Sequence, residues 1–219
     1  MRRYFCIIGT VVATALIAIL PVTSAAAASV HVLTTGKVNG PAVKPGAVLK
    51  ASLAKGSTAT FNTSLGKLTC TKSGLTAKVT GNPAKHGIAR ETLTAQTFSK
   101  CTISVSGVTV SSVTVSNLPY HVTVSDSKGN PVKVSELSKT KPLLTSFTAK
   151  AGTLVVSCSY KATAISGSAS NKGNVTVFVK QSFTLAAGGS FCPASGTFSA
   201  TYGPLRDSSV KGSPVVFVN

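Results

Sequence analysis

Acidic side chains are the scarcest chemistry in this chain: Glu91, Asp126, Glu136 and Asp207 stand against 22 Lys and Arg among 219 residues. Hydrolases that work with paired carboxylates need two acids held several ångströms apart, and four scattered ones make such a pair a poor expectation. Asp126 and Asp207 also lie in turn-like strings, Ser125-Asp126-Ser127-Lys128-Gly129 and Arg206-Asp207-Ser208-Ser209, where an aspartate bonds its own backbone. The three histidines, His31, His86 and His121, show no ligand spacing and no C-x-x-C occurs, so zinc is not expected. His121 alternates with Val122 in a strand-like run and no G-x-S-x-G elbow exists, which argues against a triad with Asp126 and a serine. Neither glycine-rich phosphate motif appears, leaving Gly129 and Gly188-Gly189 as turn residues. The expectation is a protein with no catalytic residues, no cofactor and no metal.

Tryptophan is absent, and the single methionine is Met1. Long apolar runs are missing too, apart from one at the start. Arg2 and Arg3 precede an apolar stretch from Ile7 to Leu20, then Pro21 and small residues from Ser24 to Ala28. At about 14 residues the run is short of the ~20 a spanning helix needs, so 1–28 reads as a cleaved signal peptide rather than a membrane anchor. Arg2-Arg3-Tyr4-Phe5 resembles a twin-arginine signal without its usual flanks, which leaves the export route open between the general and twin-arginine systems. Cys6 leaves with the signal. The other four cysteines, Cys70, Cys101, Cys158 and Cys192, form an even set suited to two disulfides in an oxidising compartment.

Alternation with period two fills the rest of the chain. Leu75, Ala77 and Val79 face one way while Thr76, Lys78 and Thr80 face the other. The same pattern runs through Val113 and Val115, Tyr120 to Val124, Val132 and Val134, Val175 to Val179, and Val215 to Val218, bounded by Gly, Pro, Asn or Ser. No segment after residue 28 has helical periodicity. The fold class is therefore all-β, an antiparallel sandwich or barrel-like unit over 29–219.

Features also recur in order. Gly66-Lys67-Leu68-Thr69-Cys70 is echoed by Gly152-Thr153-Leu154-Val155-Val156-Ser157-Cys158. Asn82, Gln96-Thr97-Phe98, Cys101 and Lys128-Gly129-Asn130-Pro131-Val132 are followed in the second series by Asn171, Gln181-Ser182-Phe183, Cys192 and Lys211-Gly212-Ser213-Pro214-Val215. The chain thus reads as two related halves, about 51–137 and 138–219, joined near Glu136 to Lys141 and packed as one unit. Residues 29–50 fall outside both and are expected to add an edge strand or a flexible lead-in. Four cysteines allow three pairings. Duplication favours Cys70 with Cys101 and Cys158 with Cys192, because only these keep each partner inside one ancestral half.

Basic charge remains. Removing Arg2 and Arg3 leaves twenty cations against four acids, a formal charge of +16. Eighteen of the twenty are lysines, only Arg90 and Arg206 have a guanidinium fork, and no basic run of five occurs. Lys67, Lys78, Lys133 and Lys180 fall on the polar side of alternating strands. This pattern predicts weak, non-specific attraction to anionic envelope polymers and no sequence-specific nucleic-acid readout.

The strings Asn117-Leu118-Pro119-Tyr120, Phe198-Ser199-Ala200-Thr201-Tyr202-Gly203-Pro204 and Gly212-Ser213-Pro214-Val215-Val216-Phe217-Val218 resemble those of small secreted β-proteins of unknown function from high-GC Gram-positive, Streptomyces-like actinobacteria. The resemblance implies an extracellular location and carries no activity. The leading expectation is a secreted, non-enzymatic binding or structural module at or near the cell envelope, without a transmembrane anchor. A secreted inhibitor presenting a loop such as Gly188 to Cys192 is the second, and a hydrolase without a motif, built around Glu91 or His121, is the third.

Overall fold

The computed structural model describes residues 29–219; the signal-peptide reading of 1–28 lies outside the described residues. In chain order the strands are β1 Leu33–Thr35, β2 Val48–Ser52, β3 Ala59–Thr63, β4 Gly66–Gly81 and β5 Ile88–Ile103. Then come β6 Val108–Ser116, β7 Tyr120–Ser125, β8 Pro131–Ser135, β9 Leu143–Ala151 and β10 Leu154–Ala162. The series ends with β11 Ala164–Ser170, β12 Val175–Ala187, β13 Ser195–Tyr202, β14 Arg206–Asp207 and β15 Val216–Val218. No helical element occurs among the described residues.

Alternation dictates the inward faces. In β4, Leu68, Cys70, Ala77 and Val79 are buried while Lys67, Lys72, Lys78 and Thr80 are exposed. Lys133 and Lys180 are exposed as well. Strand-to-strand pairing runs β11-β8-β7-β5-β4-β3-β13-β12, and β12 returns to β11 through Gly167↔Phe178 to Ser170↔Val175. The sheet therefore closes into an eight-stranded antiparallel barrel, which removes its free edges. From β12 the sheet also continues through β10 and β9 to β6, while β2 joins β4 on the side away from β5 and carries β14.

Long strands make this branching work. β4 and β5 are each 16 residues, about twice what a small barrel needs, so one end of each serves one neighbour and the other end another. β4 pairs with β3 through Gly66 to Cys70 and with β2 through Gly74 to Lys78. β12 does the same on one edge, meeting β11 through Val175 to Phe178 and β10 through Thr184 to Ala187.

The sheet crosses the join near Glu136 to Lys141 without interruption, since β8 pairs β11, β3 pairs β13 and β6 pairs β9. Residues 29–50 do two things: Val48 to Lys50 open β2, a strand added to the main sheet as expected, while the residues before them pack apart from it. β1 pairs with the C-terminal β15 in a separate two-stranded sheet, and Val32, Leu33, Thr34 and Val43 are fully buried. The reason is apolar content: the residues before β2 bury Val32, Leu33 and Val43 over the β15 side of the core, while Val48 to Lys50 begin β2 and extend the main sheet beside β4.

Two disulfides pin the structure, Cys70 to Cys101 and Cys158 to Cys192. The first joins directly opposed residues of β4 and β5. The second ties β10 to the β12–β13 loop.

Candidate functional site

Side chains that alternate inward from the strands enclose a cavity of about 110 Å³. Its lining is overwhelmingly apolar. At one part of it the aromatic rings of Phe61, Phe147, Tyr160, Phe183 and Phe198 interlock, with Phe61 and Tyr160 centroids 4.8 Å apart and Phe147 stacked on Tyr160 at 5.6 Å. β7 and β8 contribute instead the smaller Val122, Val124, Val132 and Val134. Small and β-branched residues fill less of a barrel interior than rings do, and the space remains.

Into this lining project few polar groups. Tyr202, on β13, has its hydroxyl 2.9 Å from Ser73 Oγ and accepts a hydrogen bond from Gln96 Nε2 at 3.0 Å. Burial raises the Tyr202 pKa, and the bonds to Ser73 and Gln96 act against that rise. The Tyr202 hydroxyl thus has both its partners within the protein. Tyr160 donates to the Pro193 carbonyl at 2.9 Å, and burial raises its pKa too.

Glu91 is different. It sits on β5 between the inward residues Ala89 and Leu93, paired with Val79 on β4 and Val122 on β7, and is 5% exposed. Its Oε1 lies in the interior with no hydrogen-bond partner. Burial alone pushes the carboxyl from an ordinary 4.5 up to about 7, with no neighbouring charge contributing. An unpaired buried carboxyl oxygen is costly, and in a concave site such a group is a candidate for function.

The other residues weighed from sequence lie apart from this site. His121 is on the exposed face of β7, next to buried Val122. Asp126 accepts a hydrogen bond from the backbone N–H of His86, in the neighbouring β4–β5 loop, instead of capping its own turn. The strand ends bring those two loops together, so the aspartate finds a closer donor across the gap. Asp207 does hold its own turn, accepting from Ser209 N at 2.9 Å. Among the described residues no group of three or more His, Cys, Asp or Glu side chains converges. Of the cysteines, Cys70 alone lines the cavity. Sequence names Glu91 only as one of two possible centres of a motif-less hydrolase, yet the run Ala89-Arg90-Glu91-Thr92-Leu93 already sets it on the apolar parity of its strand.

The fold and this site together define a closed β-barrel with an apolar interior and one solitary carboxyl inside it. No family model matches the chain, and neither the curated proteins nor the solved structures compared with it give a match.

Proposed function

We propose that this is a secreted, non-enzymatic binding module acting at or near the cell envelope, with the barrel interior as its ligand site. The observation that carries the reading is the apolar cavity with Glu91 Oε1 unpartnered in its wall. Concave, mainly apolar sites with few polar groups are the usual form of small-molecule sites, and barrel interiors are among their usual places. Val79 and Val122 flank Glu91 where a hydrolase would need a second acid, base or nucleophile, and His121 faces outward, which favours binding over catalysis. Secretion is supported by the two disulfides, which persist in oxidising compartments. A two-fold construction from related halves is supported by the matched strand order, β3-β4-β5-β7 in one and β9-β10-β12-β13 in the other.

The test is organic extraction of the folded protein purified from culture medium, followed by mass spectrometry of what is released. A small apolar molecule recovered near one per protein is the expected result, and an empty protein that also fails to take up any apolar probe would overturn the reading. Lysines spread over the outside should add only weak, sequence-blind attraction to teichoic acids or DNA. That attraction should disappear well below ~1 M salt.

One observation favours the inhibitor reading as a second choice. Phe191 is 61% exposed at the tip of the β12–β13 loop, which is tied down by the Cys158–Cys192 bridge and by Cys192 N donating to Gly189 O at 2.9 Å. A stapled loop offering one aromatic anchor suits insertion into a partner's pocket. Inhibition of a protease panel that is lost in Phe191→Ala would establish it.

A further inference from the structure

We propose that the barrel interior selects a small, uncharged, mainly apolar molecule bearing a single hydroxyl, and that Glu91 Oε1 accepts the hydroxyl hydrogen. The inference rests on the binding reading above and names the ligand class for that same site.

Size comes from the cavity. At about 110 Å³ it is smaller than the ~150 Å³ apolar cavity known to take benzene in another protein, so the ligand's apolar body has no more than about six non-hydrogen atoms. Its apolar character follows from walls of valine, leucine and phenylalanine. A single strong polar point follows from the state of the other large polar groups in the lining: the Tyr120, Tyr160 and Tyr202 hydroxyls all bond within the protein, and Gln96 Nε2 is held by Tyr202. Among the described residues Glu91 Oε1 is the one fully buried side-chain polar atom without a hydrogen-bond partner.

Charge disfavours ionised ligands. A second anion beside a desolvated carboxyl would be repelled, and a cation must pass a protein whose formal charge after residue 28 is +16. A hydroxyl needs neither. Oε1 accepts from it whether the carboxyl is ionised or carries its proton on the other oxygen, so the contact survives a change in protonation. A neutral donor also adds no unpaired charge to the interior, whereas leaving the oxygen without a partner costs its full desolvation.

Phenol and benzene are the paired probes, differing by the hydroxyl alone, titrated at millimolar concentration into the disulfide-bonded wild type, Glu91→Gln and Glu91→Leu. Calorimetry and ligand-observed NMR give the affinities, and circular dichroism confirms that each variant is folded. Wild type should bind phenol about tenfold more tightly than benzene, the gain expected from one buried hydrogen bond. Glu91→Leu should lose that preference while still binding benzene, and Glu91→Gln, whose amide oxygen accepts equally well, should keep much of it. Equal binding of phenol and benzene by wild type, or a preference unchanged in Glu91→Leu, overturns the role of Glu91 and leaves the binding reading standing. Failure of wild type to bind either probe overturns the proposed ligand class, and the extraction experiment then decides the binding reading separately.

Discussion

Asn82 and Asn171 make the same two-way amide contact with opposite members of one strand pair. Asn82 accepts from Leu33 N at 2.9 Å and donates to Leu33 O at 2.8 Å, while Asn171 accepts from Val218 N at 3.0 Å and donates to Val218 O at 2.6 Å. Leu33 and Val218 are themselves directly opposed in the β1–β15 ladder. Each asparagine stands just past the end of a strand, β4 or β11, and uses its side chain to mimic the next rung of a sheet. The two terminal strands are thereby bolted to the barrel from both sides.

Removing either amide should loosen the β1–β15 sheet, and unequally. Asn82 is 8% exposed and also donates to Val43 O at 2.9 Å, so Asn82→Ala strands two buried backbone groups, Leu33 N and Val43 O, while Leu33 O keeps the Val43 N–H. Asn171 is only partly buried, and water replaces some of what it loses. Urea unfolding should show about 2–4 kcal/mol lost in Asn82→Ala against about 1–2 in Asn171→Ala. Equal losses would mean that burial does not set the cost.

The two disulfides offer a cleaner comparison, because they close loops of nearly equal length, with sequence separations of 31 and 34. If loop-closure entropy governs, the paired variants Cys70→Ala/Cys101→Ala and Cys158→Ala/Cys192→Ala should each lose about 3.5 to 4 kcal/mol. The bridges differ in setting: the first joins two paired strands already held by a ladder, and the second anchors a loop. A loss confined to one variant in denaturant titration would show that native packing, not chain entropy, decides their worth.

Which strands exist was legible from period-two alternation, and so was the facing in β4, because a half-buried strand must put Leu75, Ala77 and Val79 on one side and Lys78 on the other; in β12 the Val175 to Val179 alternation misled, since Phe178 is buried and Val179 is 60% exposed beside a register shift. The pairing of cysteines followed from the order of repeated features. Closure into a barrel was not legible. It depends on β12 leaving β11 for β10 along a single edge, with a register shift between Phe178 and Gln181 where it pairs with β13, and alternation carries no information about partners. The site was half legible for the same reason. Parity points Glu91 inward, but its isolation depends on what the other strands bring against it, and those contacts are set by closure.

Gly196 tests how tightly the aromatic part of the interior is packed. It lies opposite Phe183 on β12 and Thr63 on β3, and a Cβ built there would press into the Phe61 ring and against the Asn62 carbonyl. Gly196→Ala should cost about 1–3 kcal/mol in thermal or urea unfolding, since the ring has other aromatics behind it and nowhere to retreat. Gly189→Ala, which meets nothing within 4 Å, is the control and should stay within about 0.5 kcal/mol of wild type.

Glu91 should write its burial into the pH dependence of stability. Its pKa is about 7 in the folded protein against an ordinary 4.5, so the native state holds the proton more tightly than the unfolded chain does. Between those two values the folded protein is protonated while the unfolded chain has released its proton, and stability must fall as pH rises. The stabilisation is therefore fully present below about pH 4.5 and lost by the time the pH has passed about 7. At ~1.4 kcal/mol per unit, the decline amounts to about 3 kcal/mol. The informative quantity is the difference between wild type and Glu91→Gln, which cannot ionise. Urea midpoints at about pH 4.5, 5.5, 6.5 and 7.5 should show wild type weakening relative to the variant across the series. A difference that stays flat, or that runs the other way, would mean the native carboxyl is ionised throughout and has found a partner in the barrel.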